Sequence, residues 1–183
     1  MRKVIFLDRD GVLNLDLGYT YKAKDLKIIE GVPKALEVLA QMGFDFVIVT
    51  NQSGVARGLY SLADVDAFNE ALLSEIQKSF SKFQVLEIAV CPHMPDGKIA
   101  EYSIDCECRK PGTKMVLDAI KKYEINPNES WMIGDKSSDI DCGKSAGLKS
   151  IQLTQGGKQY PHHSSPFAKC NRLIDAVKVI QAI

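Results

Sequence analysis

The chain has 183 residues, 45% of them hydrophobic and 25% charged, which is enough length for one domain with a sizeable core. Its 23 Lys and Arg balance 23 Asp and Glu, so no whole-protein field favours nucleic acid or an anionic membrane, and an anionic ligand has to be held by local cations and backbone N–H groups. No apolar run approaches the roughly 20 residues that span a bilayer, and Met1–Leu7 lacks the longer apolar core and small-residue cleavage site of a signal peptide, which leaves the cytoplasm as the expected compartment.

Val4 to Leu7 reads as a buried strand that ends at an acidic loop. Gly31-Val32-Pro33 opens a helix with apolar positions Leu36, Leu39 and Ala40, stopped near Gly43. Phe44 to Thr50 is a second continuous apolar strand. Ser61 reads as the N-cap of a helix running to about Phe80, with Asp64 as the partner in a capping box. Val85 to Val90 is a third strand, followed by an irregular stretch. Thr113 to Tyr123 is helical, Trp131 to Ile133 is a short strand, and Ser137 to Ala146 is helical again. Ser150 to Leu153 and Leu173 to Ile180 supply the last strand and helix, with a surface loop expected over Gln155 to Pro166. This alternation predicts an α/β fold: a doubly wound, mostly parallel sheet with helices on both faces, residues 1–183 making a single domain. Ligands in such folds bind beyond the carboxyl ends of the strands.

Each polar cluster falls at such an end. Asp8-Arg9-Asp10-Gly11 sets two carboxylates two residues apart, so they project the same way if the backbone stays extended. Adjacent carboxylates repel unless a cation or a shared proton relieves them, and an oxygen-rich site suits Mg²⁺. Asp-x-Asp-Gly is also ordinary turn chemistry. Gly134-Asp135-Lys136 repeats the arrangement and is followed by Asp139; Asp135 is a candidate to complete a metal site, and Lys136 to neutralise phosphate, although the same residues suit a helix start. Thr50-Asn51-Gln52-Ser53-Gly54 offers a hydroxyl and an amide, and Lys110-Pro111 one more cation.

The ordered set Asp8-Arg9-Asp10-Gly11, Thr50-Asn51, Lys110 and Gly134-Asp135-Lys136-x-x-Asp139 resembles the haloacid dehalogenase superfamily of phosphohydrolases, over Val4 to about Leu153. The resemblance implies a Rossmann-like fold and Mg²⁺-dependent hydrolysis of a small phosphorylated metabolite through an aspartyl phosphate. Asp8 would attack phosphorus and Asp10 would act as acid and then base. Asp8, the carbonyl of Asp10 and Asp135 would hold Mg²⁺, and Thr50 and Lys110 would contact the phosphoryl group. A doubly wound receiver module that only accepts phosphate shares several of these groups, but lacks an acid beside its aspartate.

Cys91-Pro92-His93 and Cys106-Glu107-Cys108 supply three thiols and one imidazole, the donor set of a closed, structural Zn²⁺ site; buried free cysteines are the plainer reading. Residues 94–105 carry few apolar side chains, so zinc is expected to order that loop and to present Arg109 and Lys110. Gly18-Tyr19, Thr50 through Gly58 and Cys106-x-Cys108-Arg109-Lys110-Pro111 narrow the resemblance to the D-glycero-D-manno-heptose 1,7-bisphosphate phosphatases, with histidinol-phosphate phosphatases as near relatives. Such proteins have no large cap domain. By this resemblance the substrate is a heptose bisphosphate of lipopolysaccharide synthesis, converted to the heptose 1-phosphate by a monomer. Asn51, Arg57, Arg109 and Lys136 join the substrate-binding set. Lys144, Ser145, His162 and His163 fall outside the family pattern, and the two histidines read as exposed loop residues.

Overall fold

The computed structural model describes residues 1–154 and 165–183. Six strands, β1 (Val4–Leu7), β2 (Asp45–Asn51), β3 (Glu87–Cys91), β4 (Trp131–Gly134), β5 (Lys149–Leu153) and β6 (Ala168–Cys170), form one sheet in the order β3-β2-β1-β4-β5-β6. Every pairing is parallel. The helices are α1 (Val32–Gln41), α2 (Leu62–Gln77), α3 (Lys114–Tyr123), α4 (Ser137–Ser145) and α5 (Leu173–Gln181).

Successive side chains of a strand point to opposite faces. In β1, Ile5 and Leu7 enter a core with Leu36 of α1, Leu72 of α2 and Val177 of α5, while Val4 and Phe6 enter a second core with Val116 of α3 and Cys142 of α4. A strand covered on both faces needs apolar residues at every position, which is why an unbroken run marks it. The Ser61 capping box is present: Asp64 N–H donates to Ser61 Oγ at 3.2 Å, and Ser61 N–H donates to Asp64 Oδ2 at 2.8 Å. The expected elements therefore form, with ends moved by a few residues. β6 is an addition that sequence patterning did not yield.

The chain runs outward from β1 through β2 to β3, then returns to β4 on the other side of β1. This reversal opens a crevice at the strand ends. Leu7 is in register with Ile48 and with Ile133, so the next residues along each strand, Asp8, Val49 and Gly134, meet at one edge. The connection from β1 to α1 holds only a 3₁₀ turn at Ala23–Asp25 and no cap domain. Of the expected Gln155–Pro166 loop, residues 155–164, with His162 and His163, lie outside the described residues. Among the described residues, no helix is long and apolar enough to cross a membrane.

Candidate active site

At the end of β1, Asp8 is buried with only 4% of its surface exposed. Lys110 Nζ lies 2.8 Å from Asp8 Oδ1 and 2.7 Å from Asp139 Oδ1, and it also donates to the Val49 carbonyl at 2.7 Å. An ammonium has three donors, and all three are engaged. Burial alone would push Lys110 towards the neutral amine, but Asp139 and Asp8 outweigh it and hold the charge. Asp139 completes the frame, since its other oxygen accepts from Lys136 N–H at 3.0 Å, where α4 begins. Burial, followed after the opposing pull of Lys110 by the charge of Asp8, raises its carboxyl above the usual range.

Asp10 sits beside Asp8 at the crevice and is held by three side chains, two from its own loop and one from the end of β2. Arg9 NH2 donates to Asp10 Oδ2 at 2.9 Å, Asn14 Nδ2 to Oδ1 at 2.9 Å, and Gln52 Nε2 to Oδ2 at 2.9 Å. Arg9 is wholly buried, with its guanidinium 4.5 Å from the Phe68 ring centroid and 3.0 Å from Asn69 Oδ1. Sequence reasoning passed over Arg9, because an Arg between two acids reads as a solvated surface residue. It expected the segments 14–30 and 52–60 to shape the pocket and Asp139 to suit a helix start, but gave none of Gln52, Tyr60, Asn14 or Asp139 a catalytic or binding role. Thr50 and Gln52 share the i, i+2 spacing that sends both to one face of a strand end, and that signal was available.

Asn51 lies at the crevice beside Lys110. Its amide pairs with Lys110 on both sides, accepting from Lys110 N–H at 3.0 Å and donating to the Lys110 carbonyl at 3.1 Å. It lines the crevice, but its polar atoms fix the lysine-bearing loop.

Asp8, Asp135 and Asp139 offer oxygens that all lie within 4.8 Å of one another. Asp139 has both oxygens engaged, whereas Asp135 Oδ1 is buried with no hydrogen-bond partner. Burial, reinforced by the charge on Asp8 and opposed by Lys136, pushes the Asp135 carboxyl up to about 7. An orphaned buried carboxylate oxygen is costly unless a cation or a proton meets it. These oxygens fit a hard divalent cation held by few carboxylates. Gly11 is required here: it has φ +86°, and a Cβ would come within 2.5 Å of Asp135 Oδ2.

Cys91, His93, Cys106 and Cys108 converge as expected. Their S–S separations are 3.2, 3.3 and 3.7 Å, and His93 Nδ1 lies 3.2 Å from Cys108 Sγ and 3.8 Å from Cys91 Sγ. A tetrahedral zinc with Zn–S of about 2.3 Å needs S–S edges of about 3.8 Å, so four ligands fit after movements of about half an ångström. Arg109 NH1 donates to the His93 carbonyl at 3.2 Å, tying the cysteine cluster to the crevice.

A cavity of about 410 Å³ opens above this floor, and Tyr19, Gln52, Arg109, Lys110 and Lys136 are among the residues that line it. Lys136 Nζ is 3.4 Å from Asp16 and 4.0 Å from Asp135, and these acids, with Asp8, keep it cationic despite burial. Arg57 does not line the cavity, but its guanidinium carbon lies 5.9 Å from the centroid of Tyr19, which does. A second hollow of about 440 Å³ beside α1, lined by Glu37, Gln41, Ser79 and Lys82, gathers no comparable cluster of functional groups.

A HAD-hydrolase-like family model matches residues 107–178. The chain is 40% identical over 182 residues, 98% of each protein, to the D-glycero-beta-D-manno-heptose-1,7-bisphosphate 7-phosphatase of Haemophilus ducreyi. It is 46% identical over 160 residues to the enzyme of the same name from Haemophilus influenzae, covering 86% of this chain and 84% of that one. Its fold is similar to the crystal structure of D,D-heptose 1,7-bisphosphate phosphatase from B. bronchiseptica complexed with magnesium and phosphate, with a TM-score of 0.82, 27% identity and 99% of both chains covered.

Proposed function

The chain belongs to the D-glycero-D-manno-heptose-1,7-bisphosphate 7-phosphatase family of haloacid dehalogenase-type hydrolases, and from that membership we propose that it hydrolyses the 7-phosphate of a heptose 1,7-bisphosphate, with Asp8 as nucleophile. The observation that carries this reading is the buried Asp8–Lys110–Asp139 triad beside an Asp135 oxygen that accepts no hydrogen bond and has only Lys136 at 4.0 Å.

Lys110, 2.8 Å from Asp8 Oδ1, aims the carboxylate. The carboxylate attacks phosphorus, the P–O bond to the sugar breaks, and Asp10 gives its proton to the departing alkoxide. Asp10 then takes a proton from water as that water attacks the aspartyl phosphate, releasing inorganic phosphate and restoring Asp8. Thr50 and Lys136 steady the transferring phosphoryl oxygens, and Asn51 steadies Lys110. Asp8, the Asp10 carbonyl and Asp135 would hold Mg²⁺, which when bound would supply the charge neutralisation that lets an anionic carboxylate approach an anionic ester. Arg109 and Arg57 receive the distal phosphate, a task suited to a bidentate guanidinium. Five free cysteines, three of them gathered around one histidine, support a reducing cytoplasmic compartment.

The substrate is tested with purified heptose 1,7-bisphosphate, histidinol phosphate and an aryl phosphate. Arg109→Ala is expected to raise KM about tenfold or more for the bisphosphate and less than about threefold for the aryl ester. Equal kcat/KM for histidinol phosphate and the bisphosphate would remove the substrate assignment.

We further infer that Cys91, His93, Cys106 and Cys108 bind structural Zn²⁺. Cys108→Ser is expected to lose the metal and lower Tm by about 5 °C or more, with a smaller fall in kcat. Elemental analysis of the purified protein should give one zinc per chain. A metal-free variant with unchanged Tm and KM would refute the site.

A further inference from the structure

Gln52 is 2% exposed, and its side-chain amide is fully committed. Its nitrogen donates to Asp10 Oδ2 at 2.9 Å and to Thr50 Oγ1 at 2.8 Å, and its oxygen accepts from the Tyr60 hydroxyl at 2.8 Å. Tyr60 is itself fixed. Its ring stacks on Tyr21 with centroids 4.8 Å apart, and it packs so closely on Gly54 that a Cβ there would lie 2.2 Å from the ring. Burial pushes its phenol up to about 12, so it remains a neutral O–H donor.

An amide can turn end for end, and only its partners decide which end faces which group. The Tyr60 hydroxyl holds the carbonyl oxygen of Gln52, so the NH₂ must face Asp10 and Thr50. Turned round, that oxygen would accept the proton of a protonated Asp10 and draw it away from the crevice. Thr50 gains as well. Its oxygen already accepts from Gln52, which leaves its own O–H free to donate towards the phosphoryl position.

We propose that Tyr60 and Gln52 are positioning residues that hold the amide in one orientation, and so set where the Asp10 carboxyl delivers its proton and where the Thr50 hydroxyl points. The proposal rests on Asp10 being the acid of the reaction above. Tyr21 belongs to the same β1–α1 connection as Tyr19, which lines the cavity, so the packing of that connection also bears on the acid.

Leaving-group chemistry separates positioning from mere packing. The alkoxide of a sugar needs a proton to depart, whereas dinitrophenolate does not. The ratio kcat/KM covers only the steps up to departure, so later hydrolysis of the phosphoenzyme does not intrude. Tyr60→Phe keeps the ring and removes only the hydroxyl. It is expected to lower kcat/KM about tenfold for the heptose bisphosphate, mostly in kcat, and less than about twofold for 2,4-dinitrophenyl phosphate. In an Asp10→Asn background it should cost the sugar ester no more than the small loss seen on the dinitrophenyl ester, which is the share passing through Thr50. Gln52→Met, nearly isosteric, should lower both esters through Thr50, with an excess loss on the sugar ester.

Equal losses on the two esters for Tyr60→Phe, or an undiminished loss in the Asp10→Asn background, would overturn the proposal. If Asp10→Asn is selective for the sugar ester and neither Tyr60→Phe nor Gln52→Met is, the positioning claim alone fails. If Asp10→Asn itself shows no selectivity, the acid assignment fails and takes this inference with it.

Discussion

Asp8→Asn is expected to lower kcat by at least about 10³-fold, with no compensating change in KM. The substitution replaces one oxygen by NH₂ and removes the electron pair that attacks phosphorus, so loss of covalent catalysis is nearly its sole effect. Folding should survive. Lys110 retains Asp139 at 2.7 Å and the Val49 carbonyl at 2.7 Å, and an asparagine oxygen can still accept where Asp8 Oδ1 does. Removing one of three neighbouring carboxylates also relieves Asp135 and Asp139, both raised in part by Asp8. The variant should melt within a few degrees of the parent while turning over nothing. Activity above about one part in a thousand would show that water, not Asp8, attacks the ester. A beryllium fluoride complex of the parent should place beryllium on the Asp8 carboxyl oxygen, and the variant should bind none.

The convergence of the acidic residues was legible in the sequence because strand ends carry them. A parallel sheet brings the residues just past each apolar run to one edge, so Asp8, Thr50 and Asp135 could be gathered without coordinates. The cysteine cluster was legible from donor type and spacing alone. β6 was not: Ala-Lys-Cys has no apolar run, and as an edge strand it needs little. The ordering of residues 94–105 was read too narrowly. Besides any metal, the backbone N–H groups of Lys98 and Ile99 both donate to the Ala56 carbonyl, at 2.6 and 2.9 Å, and the Met94 N–H donates to the Tyr102 carbonyl at 3.0 Å. Backbone pairs of this kind leave no trace in side-chain pattern. The same limit explains Asn51 and Gln52. Both are amides at the end of the second strand, and only tertiary contacts decide which one turns to the lysine loop and which to Asp10.

Asp135→Asn separates stability from function in opposite directions. Without metal, burial and then Asp8 hold the Asp135 carboxyl at about 7, against 3.8 in the unfolded chain, with Lys136 only partly offsetting them. Between those values the folded state keeps a proton that the unfolded state has released. The metal-free protein therefore loses stability as pH rises from about 4 to about 7, and above that the full penalty of the ionised, orphaned oxygen remains. Asparagine at 135 carries no charge to strand. In EDTA near pH 8 the variant is expected to be more stable than the parent by on the order of 2 kcal/mol, and near pH 5 the difference should fall to roughly a third of that. Magnesium reverses the ranking. It needs the carboxylate, so in the parent its affinity should climb as pH rises to about 7 and then level off, and its binding should raise Tm. The variant should show neither response, and its kcat/KM should fall by about 10²-fold or more. Thermal melts with EDTA or Mg²⁺ at the two pH values read all of this in one experiment. A variant less stable than the parent in EDTA near pH 8 would mean that Lys136, 4.0 Å away, already satisfies the ionised Asp135 without metal, and that the cation was assigned to the wrong oxygens.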